Sequence, residues 1–243
     1  MFIKVCCIIL VYFLIGALAL WRINSGLNKD QKKAQWIKYG MYLLIVSGIV
    51  SVIHFTASFK FLAILILLSG LAEIVRLILS QRVIKPKPAM AIVALYLSLC
   101  TGFYLFSKLD DTDSILFIYT IVFTFDGFSQ IVGQIFGKTP LAPTISPNKT
   151  IEGSVGGALS SIATAFILTG RNAAPLHNTL LVSVIVVISS LAGDLLASAL
   201  KRFYGAKDFG QLIPGHGGVL DRFDSFITAG AVYYIFANFN FTI

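Results

Sequence analysis

The sequence predicts an all-α polytopic membrane protein of about eight transmembrane helices, with two functional loops on one side. Three observations carry that prediction. Of 243 residues, 57% are hydrophobic and only 12% charged, against roughly 45–50% and 25% in soluble domains. The apolar residues gather into stretches of about 20, the length that crosses a bilayer as a helix. The basic residues fall almost entirely on alternate connections. Disorder needs the opposite compositional bias. The three cysteines, Cys6, Cys7 and Cys100, lie within apolar stretches and form no bridge framework.

In order, the apolar stretches run approximately 5–21, 39–59, 61–79, 89–106, 115–135, 153–168, 179–200 and 223–241. Each is expected to be helical, because backbone amides in lipid need partners within the segment. Ala17-Leu18-Ala19 fits a small-x-small cleavage pattern, but Arg22, Lys29, Lys32 and Lys33 follow at once. Translocating that basic loop is unfavourable, so the first span reads as retained. The second and third spans meet at Phe59-Lys60, as a tight hairpin or a partly re-entrant pair. The sixth opens on Gly153-Ser154-Val155-Gly156-Gly157 and is the least hydrophobic. The whole reads as one integral-membrane domain, with N-terminal spans over 1–114 and a catalytic half over 115–243.

Fourteen of the 19 basic residues fall in the loops 22–38, 80–88, 136–152 and 201–222. Lys4, Lys60, Lys108 and Arg171 fall on the other side, and Arg76 within a span. The positive-inside rule makes the first set cytoplasmic. The net charge of +8 is thereby a topology signal rather than a sign of nucleic-acid binding.

Ionisable groups inside spans are functional candidates by default. Glu73 lies one helical turn from Arg76 and reads as an internal ion pair that orients the third helix. Asp126 and Asp194 have no basic neighbour three or four residues away and can share a polar cavity. Asp221 and Asp224, three apart, share a face if the eighth helix begins there. Two carboxylates so placed suit Mg²⁺, which takes one or two carboxylates plus substrate phosphates. The alternative makes Asp221 an N-cap and Asp224 a partner of the helix dipole. Lys201, Arg202, Lys207 and Arg222 bring positive charge to the same loop, and Gly215, Gly217 and Gly218 permit close backbone approach. Together these describe a nucleotide-phosphate site. His216 reads either as a proton shuttle or as a structural histidine. The loop 136–152 is stiffened by three prolines. In it Ser146 or Thr150 can cap the next helix, and Lys149 and Thr150 can hold phosphate at its N-terminus. It lacks the GxxxxGK[ST] spacing of a Walker A loop.

Ser198-Ala199-Leu200-Lys201-Arg202, Lys207-Asp208, Leu212-Ile213-Pro214-Gly215-His216-Gly217-Gly218 and Asp221-Arg222-Phe223-Asp224 together resemble the signature of the phosphatidate cytidylyltransferase (CDP-diacylglycerol synthase) family. Ser146-Pro147-Asn148-Lys149-Thr150-Ile151-Glu152-Gly153 is similar to that family's second conserved loop. The resemblance covers about 115–243 and is only generic before that. It implies transfer of the cytidylyl group of CTP to phosphatidic acid, giving CDP-diacylglycerol and pyrophosphate in phospholipid biosynthesis. It also implies dependence on Mg²⁺ or another divalent cation, with room for a second metal. By motif position Asp194, Asp221 and Asp224 are the expected metal carboxylates. Lys201, Arg202, Lys207, Asp208 and Arg222 join them as catalytic candidates. Ser146, Asn148, Lys149, Thr150, Ser198, His216, Gly217, Gly218 and Asp126 are expected to bind substrate. The implied setting is a bacterial inner membrane with the site facing the cytoplasm, and a homodimer is compatible with it. The chain departs from the family at Ala197, usually Glu, and at Gln130 and Gln134, usually aromatic and basic; these positions bear on the lipid acceptor. Two other readings use similar parts: a CTP-dependent polyprenol kinase, and a transporter or scaffold without catalysis.

Overall fold

The computed structural model describes residues 1–24, 28–80, 86–109, 111–170, 175–210, 212 and 217–238. Eight helices follow in order: α1 (Phe2–Ile23), α2 (Lys29–His54), α3 (Thr56–Leu79), α4 (Pro86–Ser107), α5 (Thr112–Phe136), α6 (Ile151–Thr169), α7 (Leu176–Phe203) and α8 (Leu220–Ala237). The eight apolar stretches therefore each become a helix. Seven are long and apolar enough to cross a membrane. The exception, α8, has 18 residues and places Asp221, Arg222 and Asp224 among its first five. Its remaining turns are almost wholly buried, from Ser225 to Ala231 and at Tyr233.

α5 is the central post. Its residues from Ser114 to Phe125 are all buried, which hides the alternation expected of a lipid-facing helix. α1 and α2 lean on one side of it through the rings of Phe13, Tyr42 and Phe123. Phe59, Phe103, Phe106, Tyr119 and Phe226 join α3, α4, α5 and α8 in an aromatic core of mostly tilted and edge-to-face rings.

The glycine-rich opening of the sixth span is a packing face. A Cβ on Gly157 would collide with Ser129 Oγ, and one on Gly153 would lie 2.6 Å from the Ser129 carbonyl. Small residues let α6 lie directly on α5, as in membrane helix pairs generally. Low hydropathy here reflects close packing. Between α2 and α3 only Phe55 intervenes, so the two helices join without a loop.

α2 starts at Lys29, ten residues ahead of the expected span, so Lys29, Lys32, Lys33 and Lys38 lie in a helix instead of a loop, and it gives way to α3 at Phe55 instead of at Phe59-Lys60. Two further boundaries differ from the sequence reading. α7 continues to Phe203, which places Lys201 and Arg202 on its last turn instead of in the following loop. The proline-stiffened loop contains a small antiparallel hairpin, β1 (Pro140–Ala142) and β2 (Ser146–Thr150), pairing Pro140 with Thr150 and Ala142 with Ser146. The prolines are tolerated because a two-stranded ribbon is all edge.

Candidate active site

Four elements bring the chemistry together: the end of β2, the mid-part of α5, the last turns of α7 and the first turn of α8. Thr150 caps α6, its hydroxyl accepting from the Gly153 amide at 3.1 Å. Of the two expected caps, Thr150 takes the role and Ser146 lies in the strand. Glu152 secures the hairpin from below, accepting from the amides of Lys138 and Thr139 and from the Thr139 hydroxyl. Arg202 ties the same hairpin to α7, donating to the Ile145 carbonyl at 3.2 Å and the Ala206 carbonyl at 3.1 Å.

So held, Lys149 forms an ion pair with Asp194 of α7. The other Asp194 oxygen accepts from Ser198 at 3.3 Å. One turn on, Lys201 pairs with Asp221 at 2.7 Å. The second Asp221 oxygen accepts from the amides of Phe209 at 2.8 Å and Gly218 at 2.9 Å. Asp221 thus ties Phe209 and Gly218 of the α7–α8 loop to the start of α8, and its side chain is only 4% exposed. Gly205 and Gly217 turn that loop with φ of 68° and 84°, the left-handed region that glycine enters without strain.

Asp224 lies beyond, accepting from the Ser225 amide at 2.7 Å. Asp126 of α5, Asp194 of α7 and Asp224 of α8 are near enough for their charges to act on one another. Lys149 and Arg222 act on Asp126, and Lys201 on Asp224. Gly193 makes this convergence possible: a Cβ there would strike Thr228 Oγ1 and lie 2.9 Å from the Asp224 carbonyl.

The structure therefore brings Asp126, Lys149, Asp194, Ser198, Lys201, Asp221, Arg222 and Asp224 into one region. Thr150 and Arg202 support it through backbone contacts. Gly217 and Gly218 form the wall over Asp221. Asn148, Lys207 and Asp208 are exposed on the hairpin and on the turn after α7. His216 lies outside the described residues.

One expectation is corrected. Glu73 does not pair with Arg76; its two oxygens accept from the amides of Val219 and Leu220, each at 2.8 Å. Two free helix-terminal amides offer a buried carboxylate shorter, charge-assisted bonds, whereas Arg76 faces outward. Tyr42 was also missed, and its ring is close enough to feel the charges of Asp126 and Arg222. Nothing in its local sequence signals this. For Glu73 the signal was the acid itself, in an otherwise apolar span.

Among the described residues no three His, Cys, Asp or Glu side chains converge closely enough to cage an ion. The donor chemistry still suits Mg²⁺. Asp126, Asp194 and Asp224 are hard oxygen donors whose mutual repulsion a cation relieves, and Mg²⁺ needs few protein ligands when a triphosphate supplies others. Asp221 uses three of the roughly four lone-pair sites of a carboxylate.

A bundle of helices apolar enough to cross a membrane, with paired carboxylates and lysines at one helix junction, defines a class: polytopic membrane proteins that carry a charged cluster between their helices. The chain belongs to the cytidylyltransferase family, whose model matches residues 1–240. It is 36% identical over 157 residues to a phosphatidate cytidylyltransferase of Bacillus subtilis, covering 62% of this chain and 58% of that one. It is 46% identical over 115 residues to one from Staphylococcus epidermidis, covering 46% and 44%. With one from Brucella abortus the identity is 40% over 124 residues, covering 51% and 46%. The matched stretch thus spans about half the length of these curated relatives. Their names give no support to the polyprenol kinase reading.

Proposed function

We propose that this chain transfers the cytidylyl group of CTP to phosphatidic acid, giving CDP-diacylglycerol and pyrophosphate. The observation that carries the reading is the pair of buried-edge lysine–carboxylate contacts, Lys149–Asp194 and Lys201–Asp221, set in a bundle of apolar helices. A phosphate entering this mouth takes over the lysines, and the carboxylates it releases are free for a divalent cation.

In the reaction, a phosphate oxygen of the lipid forms a bond to the α-phosphorus of CTP. The bond from that phosphorus to the bridging oxygen breaks, and pyrophosphate leaves with the electron pair. The attacking oxygen is already anionic, so no strong general base is required. Lys149, Lys201 and Arg222 neutralise charge on the transferring and leaving groups, a term that commonly dominates phosphate chemistry. Asp194, Asp221 and Asp224, with Asp126 beside them, would hold Mg²⁺ or another divalent cation, which supplies charge neutralisation to the triphosphate. Ser146, Asn148 and Thr150 line the approach on the hairpin, and Lys207 and Asp208 line it on the turn. An aromatic groove between α1, α2 and α5, lined by Tyr12, Phe13, Tyr39, Tyr42 and Phe123, suits an acyl chain. Gln130 and Gln134 also line it, which connects these two departures from the family to acceptor choice. The site faces the cytoplasm of a bacterial inner membrane, where CTP is available; a homodimer remains compatible.

The test incubates purified protein with α-³²P-CTP, phosphatidic acid and Mg²⁺, with Asp224→Asn as control. Label in the lipid phase that depends on lipid, metal and Asp224 supports the reading. Lipid labelled from γ-³²P-CTP instead would assign a kinase. No label from either, in folded protein, would leave a transporter or scaffold. Cysteines replacing Ser146 or Lys207 should react with impermeant reagents from the cytoplasmic side; reaction from the outer side alone would overturn the orientation.

A further inference from the structure

Glu73 is a buried carboxylate, 4% exposed, in the middle of the N-terminal half. It lies far in sequence from every motif that resembles the family, yet it bonds directly to the backbone at the end of the motif loop. Both oxygens accept from the first amides of α8, Val219 and Leu220. A Cβ on Gly218 would lie 2.5 Å from its Oε1, and one on Gly210 would lie 2.8 Å from the same atom. The carboxylate is therefore wedged between the two ends of the loop that Asp221 closes. Its charge is met by the amide end of α8, where partial positive charge gathers.

We propose that Glu73 is a positioning residue for cytidylyl transfer: it clamps Gly210, Gly218 and the start of α8, so that Asp221, Lys201 and Asp224 meet the reacting phosphates in register. The proposal rests on the function inferred above. Glutamine cannot substitute. Its amide group offers one acceptor, and its NH₂ faces an N–H, so one helix-terminal amide is left without a partner. The helix start then shifts, and a displacement of about 1 Å at groups that orient a reaction costs on the order of a hundredfold in rate.

The experiment compares Glu73→Gln, Glu73→Asp and Gly210→Ala with the parent in lipid nanodiscs. Rates are normalised to CTP-binding sites counted by calorimetry. Hydrogen exchange is followed across 217–224 and, as a reference, across α1. For Glu73→Gln we expect kcat per site to fall at least about tenfold, KM for CTP to stay within about threefold, and exchange to rise across 217–224 only. Glu73→Asp keeps the charge and should recover part of the loss. Gly210→Ala keeps Glu73 but crowds its oxygen, and should reproduce the defect. A kcat per site within twofold of the parent would overturn the proposal, as would a loss confined to the number of sites, which would make Glu73 a stability residue. If the parent transfers no label to lipid, the function fails on its own. The clamp is then decided by exchange: unchanged protection of 217–224 in both Glu73 variants would overturn it.

Discussion

The two halves of the molecule reach the same site by different routes. The half from α5 to α8 supplies charge: Asp126, Asp194, Asp221 and Asp224, with Lys149, Lys201 and Arg222. It does so from one hairpin, the first turn of α8, the last turns of α7 and the middle of α5. The half from α1 to α4 supplies apolar walls, one side of an aromatic groove and the buried acid Glu73, whose partners are backbone amides of the other half. The difference separates residues that address substrate from residues that hold those residues still. Substitutions can probe that division directly.

The largest effect is expected at Lys201. Its partner Asp221 is 4% exposed, and removing one member of a buried pair leaves an uncompensated charge, typically costing ~3–5 kcal/mol. Two amides continue to hold Asp221, so Lys201→Ala should fall toward the lower end of that range by thermal melting. Transfer of label to lipid should drop by about a hundredfold or more. Wild-type rates in this variant would remove Lys201 from the chemistry and leave it as a loop anchor.

Lys149→Ala sharpens the contrast. Both members of the Lys149–Asp194 pair are 25% exposed, and an accessible pair contributes at most about 1 kcal/mol. Here activity should fall by about 10–100-fold while the melting temperature barely moves. Equal losses of stability for Lys149→Ala and Lys201→Ala would show that burial does not distinguish the two pairs.

Much of this architecture was legible in the sequence, for a physical reason. Lipid forbids unsatisfied backbone, so each apolar stretch had to be a helix, and all eight are. The carboxylates of α5, α7 and α8 were legible because charge in a span is conspicuous. Two features were not. The hairpin over 140–150 has no apolar alternation, since neither face is buried, and its prolines read as a plain rigid loop. Glu73 was assigned to Arg76 because local spacing favoured it. Its true partners are two amides some 146 residues away, and a backbone amide leaves no mark on the sequence.

Next in size is Gly157→Ala. The added methyl meets Ser129 Oγ and lies 2.7 Å from the Phe125 carbonyl, so α5 and α6 must part. Overpacking of this kind costs ~1–3 kcal/mol. The hairpin hangs from the same junction through Thr150 and Glu152, so activity should decline with stability. A stable, fully active Gly157→Ala would mean that the α5–α6 contact can relax without disturbing Lys149.

The smallest effects make the finest comparison, because the same physics occurs in both halves. Thr150 caps α6 and Asn28 caps α2, accepting from the Gln31 amide at 2.9 Å. Removing either side chain should cost about 1 kcal/mol, with similar falls in melting temperature. Their consequences for transfer should diverge. Thr150 adjoins Lys149 and fixes where β2 ends, so Thr150→Ala should slow label transfer severalfold. Asn28 lies at the exposed start of α2, away from the carboxylate cluster, so Asn28→Ala should melt earlier yet transfer at the parental rate below its melt. If both variants lost activity in proportion to stability, the site would depend on the whole bundle alike, and the division between addressing and holding residues would collapse.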